Sequence, residues 1–477
     1  MTSPTIYDRV AYPTAVFAQT HPGHLAAIAR LHGLDAAPPA TARVLEIGCG
    51  DGMNLLAMAA AYPQASFAGF DLAASVIARG RARAEAAGLA NVRLETLDIV
   101  EAERTIDGPF DYVIAHGIYA WVPEPVRAAL LALAARLLSP RGIAFISYNA
   151  YPGGHFRSAV RDLMLHYARP EMDAATRLRT ARRALEDFVE ASTGDEPVRA
   201  AMRHQAKATL NQIDGLLFHD ELSEVYAPQL LTAVAGAAKA AGLSWLGDAG
   251  RAQLLDGFIP EGHAPGEDAD AQALGLAQER DFLEVRFFRR SLFLRSEARP
   301  SRRLDPERAL GLWARAHCER TADGAYRGEG GEEFQIRDPG LDAAFGRLVD
   351  ARPGRLPVDG LVEGVERLSA LVDLFNRGSL SLHVSQAPFA CTIPPVPVAS
   401  PLARAMAEEG LDTLCTLDHS AVRIEDPALL RFLARLDGRG EAALREAAAQ
   451  SGFADPDQWR QAVELACSKA LLVPDRS

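Results

Sequence analysis

Lysine is almost absent from this chain. Of its 50 basic residues only Lys207, Lys239 and Lys469 are lysines, a bias that a GC-rich genome explains most simply. Cysteine is scarce too. Cys49, Cys318, Cys391, Cys415 and Cys467 are scattered, odd in number and without metal-ligand spacing. That excludes a disulfide framework and a structural metal site, and predicts reduced, mostly buried thiols in a cytoplasmic protein. Apolar runs long enough to cross a bilayer are missing, as is a basic-then-apolar signal at the N-terminus, so no membrane insertion is expected. Positive charge is short as well: the formal net charge is −12, which argues against nucleic acid or an anionic membrane as the main partner. One cluster runs the other way, Arg286, Arg289, Arg290, Arg295, Arg299, Arg302 and Arg303. Its alternation places several of these on the wet face of a strand. No internal repeat is evident. The 48% hydrophobic share over 477 residues is ordinary and supports two to four domains.

What is there begins with Arg43-Val-Leu-Glu-Ile-Gly-Cys-Gly-Asp-Gly52. Val44, Leu45 and Ile47 predict a short buried strand. Gly48, Gly50 and Gly52 then let the chain turn sharply and present bare main chain to a ligand. Met53 to Ala60 follows with helical spacing. Strand, glycine turn and helix open a doubly wound nucleotide-binding sheet. The pattern is Glu-x-Gly-x-Gly-x-Gly rather than the pyrophosphate-binding G-x-G-x-x-G. A carboxylate at Glu46 repels phosphate and suits a ligand with a cationic end, such as S-adenosylmethionine (SAM). The next strand, Ser66 to Phe70, ends in Asp71, about twenty residues past the turn, where an acid can hold both ribose hydroxyls. A third strand, Val92 to Thr96, ends in Asp98-Ile99, placed to accept from an adenine amino group. A fourth, Phe110 to Ala115, ends in His116-Gly117.

Four motifs in this order resemble the class I SAM-dependent methyltransferases, closely over roughly the first third of the chain. Further tracts narrow the resemblance: His116-Gly-Ile-Tyr-Ala-Trp-Val-Pro123, Ser147-Tyr-Asn-Ala-Tyr-Pro-Gly153, His219-Asp-Glu-Leu222 and Asp281-Phe-Leu-Glu-Val-Arg-Phe-Phe-Arg289. These look like bacterial methyltransferases with an attached regulatory domain, a family that includes rickettsial outer-membrane-protein lysine methyltransferases. The resemblance implies a seven-stranded Rossmann-like α/β sheet, SAM as cofactor, and a cofactor pocket at Glu46, Gly48, Asp71, Asp98 and His116. Cys49, Gly50, Asn54, Leu72 and Ile99 complete it as neighbours of these motifs. The C-terminal half does not match segment by segment, which leaves the substrate open.

In chain order, residues 1–154 and 226–298 form the expected SAM-binding domain. Class I methyltransferases often fold their N-terminal segment over the cofactor, so Tyr12, Thr20 and His21 are candidates to close the pocket, with a packing helix as the equal alternative. The fifth strand is expected at Ile143 to Ser147. A helix over Phe282–Arg290 is expected to lead into a seventh strand at Ser291–Arg295. Residues 155–225 are polar and helical, too long for an ordinary connection: an insertion for substrate capture, a lid or homodimerisation. Residues 299–398 suggest a winged-helix-like module with a protein-contact role. Residues 399–477 read as a helical C-terminal domain after a proline-rich linker.

In open α/β sheets ligands lie at the carboxyl ends of strands, so Tyr119, Trp121, Tyr148, Asn149 and Tyr151 are expected around the methyl group and its acceptor. Electron-rich rings at Tyr119, Trp121, Tyr148 and Tyr151 could hold a lysine ammonium. His116 and Tyr119 are candidate catalytic groups, His116 as base, as cofactor contact or as structural support, and Asn149 could orient the acceptor. The activity expected is methyl transfer to protein lysine. The alternatives are a small-molecule N- or O-methyltransferase and a SAM-binding scaffold without catalysis. The shortage of lysine fits, more weakly, an enzyme sparing itself.

Overall fold

The structure is a computed structural model that describes residues 15–250, 269–303, 305–438, 440–453 and 455–475. Helix α1 (Pro22–Leu31) is entered through His21, whose ring accepts from the Gly23 N–H at 3.0 Å and so caps the first turn. The central unit then alternates β1 (Arg43–Ile47), α2 (Met53–Ala61), β2 (Ser66–Asp71), α3 (Ala74–Ala86), β3 (Val92–Thr96), α4 (Ile99–Thr105), β4 (Phe110–Ala115), α5 (Glu124–Leu137) and β5 (Leu138–Asn149). Strand β5 starts earlier than expected because Leu138 pairs with Phe110 across a bulge. Helices α6 (Gly154–Tyr167), α7 (Ala174–Ala191), α8 (Pro197–Leu210) and the short α9 (Asp214–Leu216) follow, then α10 (Leu231–Ala240), β6 (Leu243–Asp248), α11 (Ala269–Leu283) and β7 (Phe288–Arg295).

These strands form one seven-stranded sheet in the order β3-β2-β1-β4-β5-β7-β6. All run parallel except β7, which is antiparallel to both neighbours. Chain order reverses between β1 and β4, and the crevice outside that reversal is where such sheets bind ligands. Val44, Leu45 and Ile47 are fully buried, because a central parallel strand is covered on both faces. Each such side chain contributes roughly 1.5–3 kcal/mol.

Helix α11 ends at Leu283 and β7 begins at Phe288, so of the expected helix over 282–290 only the first two residues are helical and the last three are strand. The arginine cluster also differs from expectation. Arg289 is nearly inaccessible and makes a two-pronged ion pair with Asp281, at 2.7 and 2.8 Å. Arg302 is buried too, its guanidinium over Trp245 and paired with Asp270 at 2.7 Å. An antiparallel strand covered on both faces has no wet side, so its arginine must find a carboxylate.

Beyond the sheet lie β8 (Trp313–Ala316), β9 (Cys318–Arg320), β10 (Tyr326–Gly328), β11 (Glu333–Phe334), α12 (Pro339–Asp350), β12 (Leu356–Pro357), α13 (Val365–Asn376) and β13 (Leu380–His383). They make two small antiparallel sheets, β12-β8-β13 and β11-β10-β9, beside two helices. The last stretch holds α14 (Pro401–Glu408), the hairpin β14 (Thr413–Cys415) and β15 (Ala421–Arg423), then α15 (Pro427–Ala434), α16 (Glu441–Ser451) and α17 (Trp459–Ser468). One apolar core runs without a break from α1 and the sheet into α12, α13 and β13. A second joins α2 and α3 to α14–α17. Helices α6–α8 have a separate core of their own.

Candidate active site

Glu46 precedes the glycine turn by one residue and is almost wholly buried. Its Oε1 accepts from the Asn54 amide at 3.0 Å, while Oε2 has no protein partner. Burial pushes its carboxyl up to about 8, with Asp51 and Asp71 adding to the rise and the Asn54 hydrogen bond opposing it. Gly48 and Gly50 both take left-handed backbone, at φ 65° and 56°. The turn is tied to β2 twice: the Cys49 N–H donates to the Phe70 carbonyl, and the Gly50 N–H to Asp71 Oδ2, each at 3.0 Å. Asp71 Oδ1 also accepts from the Ala73 N–H at 3.0 Å. Burial raises the Asp71 carboxyl, and its N–H donors hold that rise in check. Asp98 caps α4, its Oδ1 accepting from the Val100 N–H at 2.7 Å.

These groups line a cavity of about 550 Å³ at the carboxyl ends of the strands. Phe17 closes over it, its ring stacked 3.7 Å from that of His116. Burial and the Arg290 charge hold His116 down to about 3. It is therefore neutral near pH 7 and a weak proton acceptor. The cavity is also lined by Trp121, Val122, Asn149, Phe288 and three groups from the segment between β5 and β6, Arg157, His219 and Asp220. His219 and Asp220 lie in a π-helical turn, Leu217–Glu221, a distortion often found at functional sites. Arg157 lies 5.1 Å from the Trp121 ring centre and pairs with Glu221 at 2.6 Å and Asp220 at 3.2 Å.

Of the residues singled out in the sequence, Glu46, Gly48, Cys49, Gly50, Asn54, Asp71, Leu72, Asp98, Ile99, His116, Trp121 and Asn149 line this one cavity. Tyr12 lies outside the described residues. Thr20 does not reach the cavity; its hydroxyl accepts from Asn54 at 3.1 Å, one layer behind. Three aromatic assignments need correction. Alternation along β5 turns Asn149 to the cavity and Tyr148 away from it, so Tyr148 is buried with its hydroxyl 3.0 Å from that of Ser291. Tyr119 packs into the core against Tyr148. Tyr151 stacks on His155, ring centres 4.2 Å apart, off the cavity. Only Trp121 of the expected cage faces the site. Missed altogether were Phe17 and Arg157, for which no local signal exists; Phe288 stood only in the tract of family likeness Asp281–Arg289. His219-Asp220 stood only in a tract of family likeness.

Comparison with known proteins bears on the family and the fold. The methyltransferase domain family matches residues 44–142, and the predicted methyltransferase regulatory domain family matches residues 214–295. An uncharacterized protein of Rickettsia prowazekii, RP028, is 36% identical over 222 residues, 46% of this chain and 88% of that one. A second from the same organism, RP789, is 31% identical over 301 residues, 63% of this chain, and only 54% of its own length is spanned. Among solved structures, PKMT2 from Rickettsia typhi superposes with a TM-score of 0.81 at 22% identity over 97% of this chain and all of that one; its complex with AdoHcy gives 0.80. Fold, turn and matched domain define a class I SAM-dependent methyltransferase. Within that class the chain belongs to the family that couples the methyltransferase domain to the regulatory domain. Its cofactor is SAM. The cavity fits that molecule on its own evidence: a buried carboxylate oxygen, Glu46 Oε2, lacks a partner that an ammonium group would supply. Among the described residues no cluster of His, Cys, Asp or Glu could hold a metal, and no helix is long and apolar enough to cross a membrane.

Proposed function

We propose that this enzyme methylates lysine side chains of protein acceptors. The supporting observation is that Asp220 lines the same cavity as the adenine-side acid Asp98. In the sheet order, β3 and β5 flank the turn from opposite sides, so the cofactor runs from Asp98 past Asp71 to Glu46, and the acceptor enters beside Asn149. Arg157 pairs with both Glu221 and Asp220, so an arriving ammonium shares Asp220 with it beside the Trp121 ring. The helical insertion thus acts in substrate capture. The sulfonium supplies an activated methyl group; the chain's part is to align the acceptor, an effect worth up to roughly 7–11 kcal/mol. His116, held near 3, serves as a wall of the cofactor pocket rather than as base. The likeness to PKMT2 supports the same reading. Incubation with methyl-labelled SAM and a cell-envelope extract is expected to label protein bands that yield methyl-lysine on hydrolysis. Label confined to the low-mass fraction would overturn the proposal and favour a small-molecule acceptor.

The role given to Glu46 has a pH signature. Below about 8 its carboxyl is largely protonated in the free enzyme. A cationic amino group binds the ionised form, so affinity should climb from pH 6 towards 8, at most tenfold per unit for one proton. It should fall again above 8 as the ligand's own amino group, with an ordinary value of about 7.7–8.0, deprotonates. Glu46→Gln should bind at least tenfold more weakly at pH 8 and lose the rising limb. Titration calorimetry at several pH values checks both, and a flat wild-type profile would sink the assignment.

A further inference from the structure

Asn54, on α2 behind Glu46, is the meeting point of three distant parts of the chain. Its Oδ1 accepts from the Phe17 N–H at 3.0 Å. Its amide nitrogen donates to Thr20 Oγ1 and to Glu46 Oε1. The remaining partner is His419 Nε2, 2.9 Å from Oδ1 and 365 positions away in sequence. His419 sits at the tip of the β14–β15 hairpin, buried, with φ 59°. Hairpin tips with positive φ ordinarily carry glycine or asparagine. Histidine there holds the backbone in a disfavoured region, and such strain concentrates where a side chain has a task.

Burial holds His419 down to about 4, so near pH 7 it is a neutral hydrogen-bond group rather than a charge. Because the carbonyl oxygen of Asn54 can only accept, Nε2 is the protonated ring nitrogen. A second bridge lies nearby. Arg83 of α3 joins Asp51 of the glycine turn, at 3.0 Å, to Glu409 just past α14, at 2.9 Å through each of two nitrogens. The C-terminal unit therefore grips the cofactor turn on both flanks without lining the cavity itself.

We propose that His419 is a positioning residue for the cofactor: through Asn54 it holds the Glu46 carboxylate and the Phe17 lid in binding geometry. The C-terminal unit is then a working part of the SAM site. This goes beyond the lysine assignment and does not depend on it, since cofactor binding can be measured with no acceptor present.

The test uses the full-length enzyme and S-adenosylhomocysteine in a calorimeter. His419→Leu and His419→Gln fill similar volumes and suffer the same positive φ, but only glutamine can donate to Asn54 Oδ1. The leucine variant should bind at least tenfold more weakly, and the glutamine variant within threefold of wild type, with similar melting temperatures. Leucine binding within twofold of wild type, or equal losses in both variants, would overturn the proposal. A measurement on the unmodified enzyme covers the case in which a variant does not fold. Ligand binding must stabilise what stabilises it, so hydrogen exchange at residues 416–420 should slow when S-adenosylhomocysteine binds, although this hairpin tip is not on the cavity wall. Unchanged exchange there would equally overturn it.

Discussion

Valine in place of Gly48 should abolish SAM binding while leaving the enzyme folded. Gly48 has φ 65°, a region in which a β-branched residue is a genuine outlier, at a cost on the order of 1–3 kcal/mol. Steric conflict adds to that. A Cβ at this position would lie 1.8 Å from Ile118 Cδ1. Ile118 itself lines the cavity, so yielding to the new side chain drives it into the space the cofactor needs. The clash is thus with a neighbouring side chain first and with ligand second, which the sequence could not reveal. A loss of a thousandfold or more is expected, about 4 kcal/mol at 1.4 kcal/mol per tenfold. Gly48→Ala should fall in between, since the tip of Ile118 can rotate to admit a single methyl more readily than an isopropyl group. Calorimetry with S-adenosylhomocysteine, alongside far-UV circular dichroism to verify folding, measures this. Normal affinity in the valine variant would mean that the turn is not the cofactor cradle.

Asp71→Ala should weaken cofactor binding by roughly a hundredfold. A hydrogen bond to a charged group is worth about 1.5–3 kcal/mol, and the ribose would take at least one from this carboxylate. The carboxylate also has two protein donors, the N–H groups of Gly50 and Ala73. Its removal orphans the Gly50 N–H and frees the glycine turn from β2, so part of the loss comes from a looser cradle. Asp71→Asn keeps an oxygen for one of these donors and should recover part of the affinity. Calorimetric affinity unchanged in Asp71→Ala would contradict the placement of the ribose.

The legible part of this site was local. Glu46, Asp71 and Asp98 each stand at or just past the end of a strand whose apolar run is evident in sequence, and the ends of parallel strands converge by construction. Tyr119 and Tyr148 were misjudged because an aromatic next to proline and glycine suggests an exposed loop, whereas Tyr119 lies buried in a 3-10 turn after β4, and β5 continues through Asn149 and turns alternate side chains to opposite faces. Arg289 was misjudged for a related reason. Alternation tells which residues share a face, but whether that face meets water depends on what packs against it.

Sequence by itself determined the carboxylate-headed glycine turn, the acids that follow the next two strands, and therefore the class of cofactor, because these depend on backbone geometry within one βα unit at a time. Tertiary structure decided which side chains converge from afar: Phe17 over His116, Arg157 with Asp220 on the same cavity as Asp98, and His419 behind Asn54. Those contacts join segments from tens of residues to 365 residues apart, and their register is set by the packing of whole elements. No local pattern of residue types carries that information.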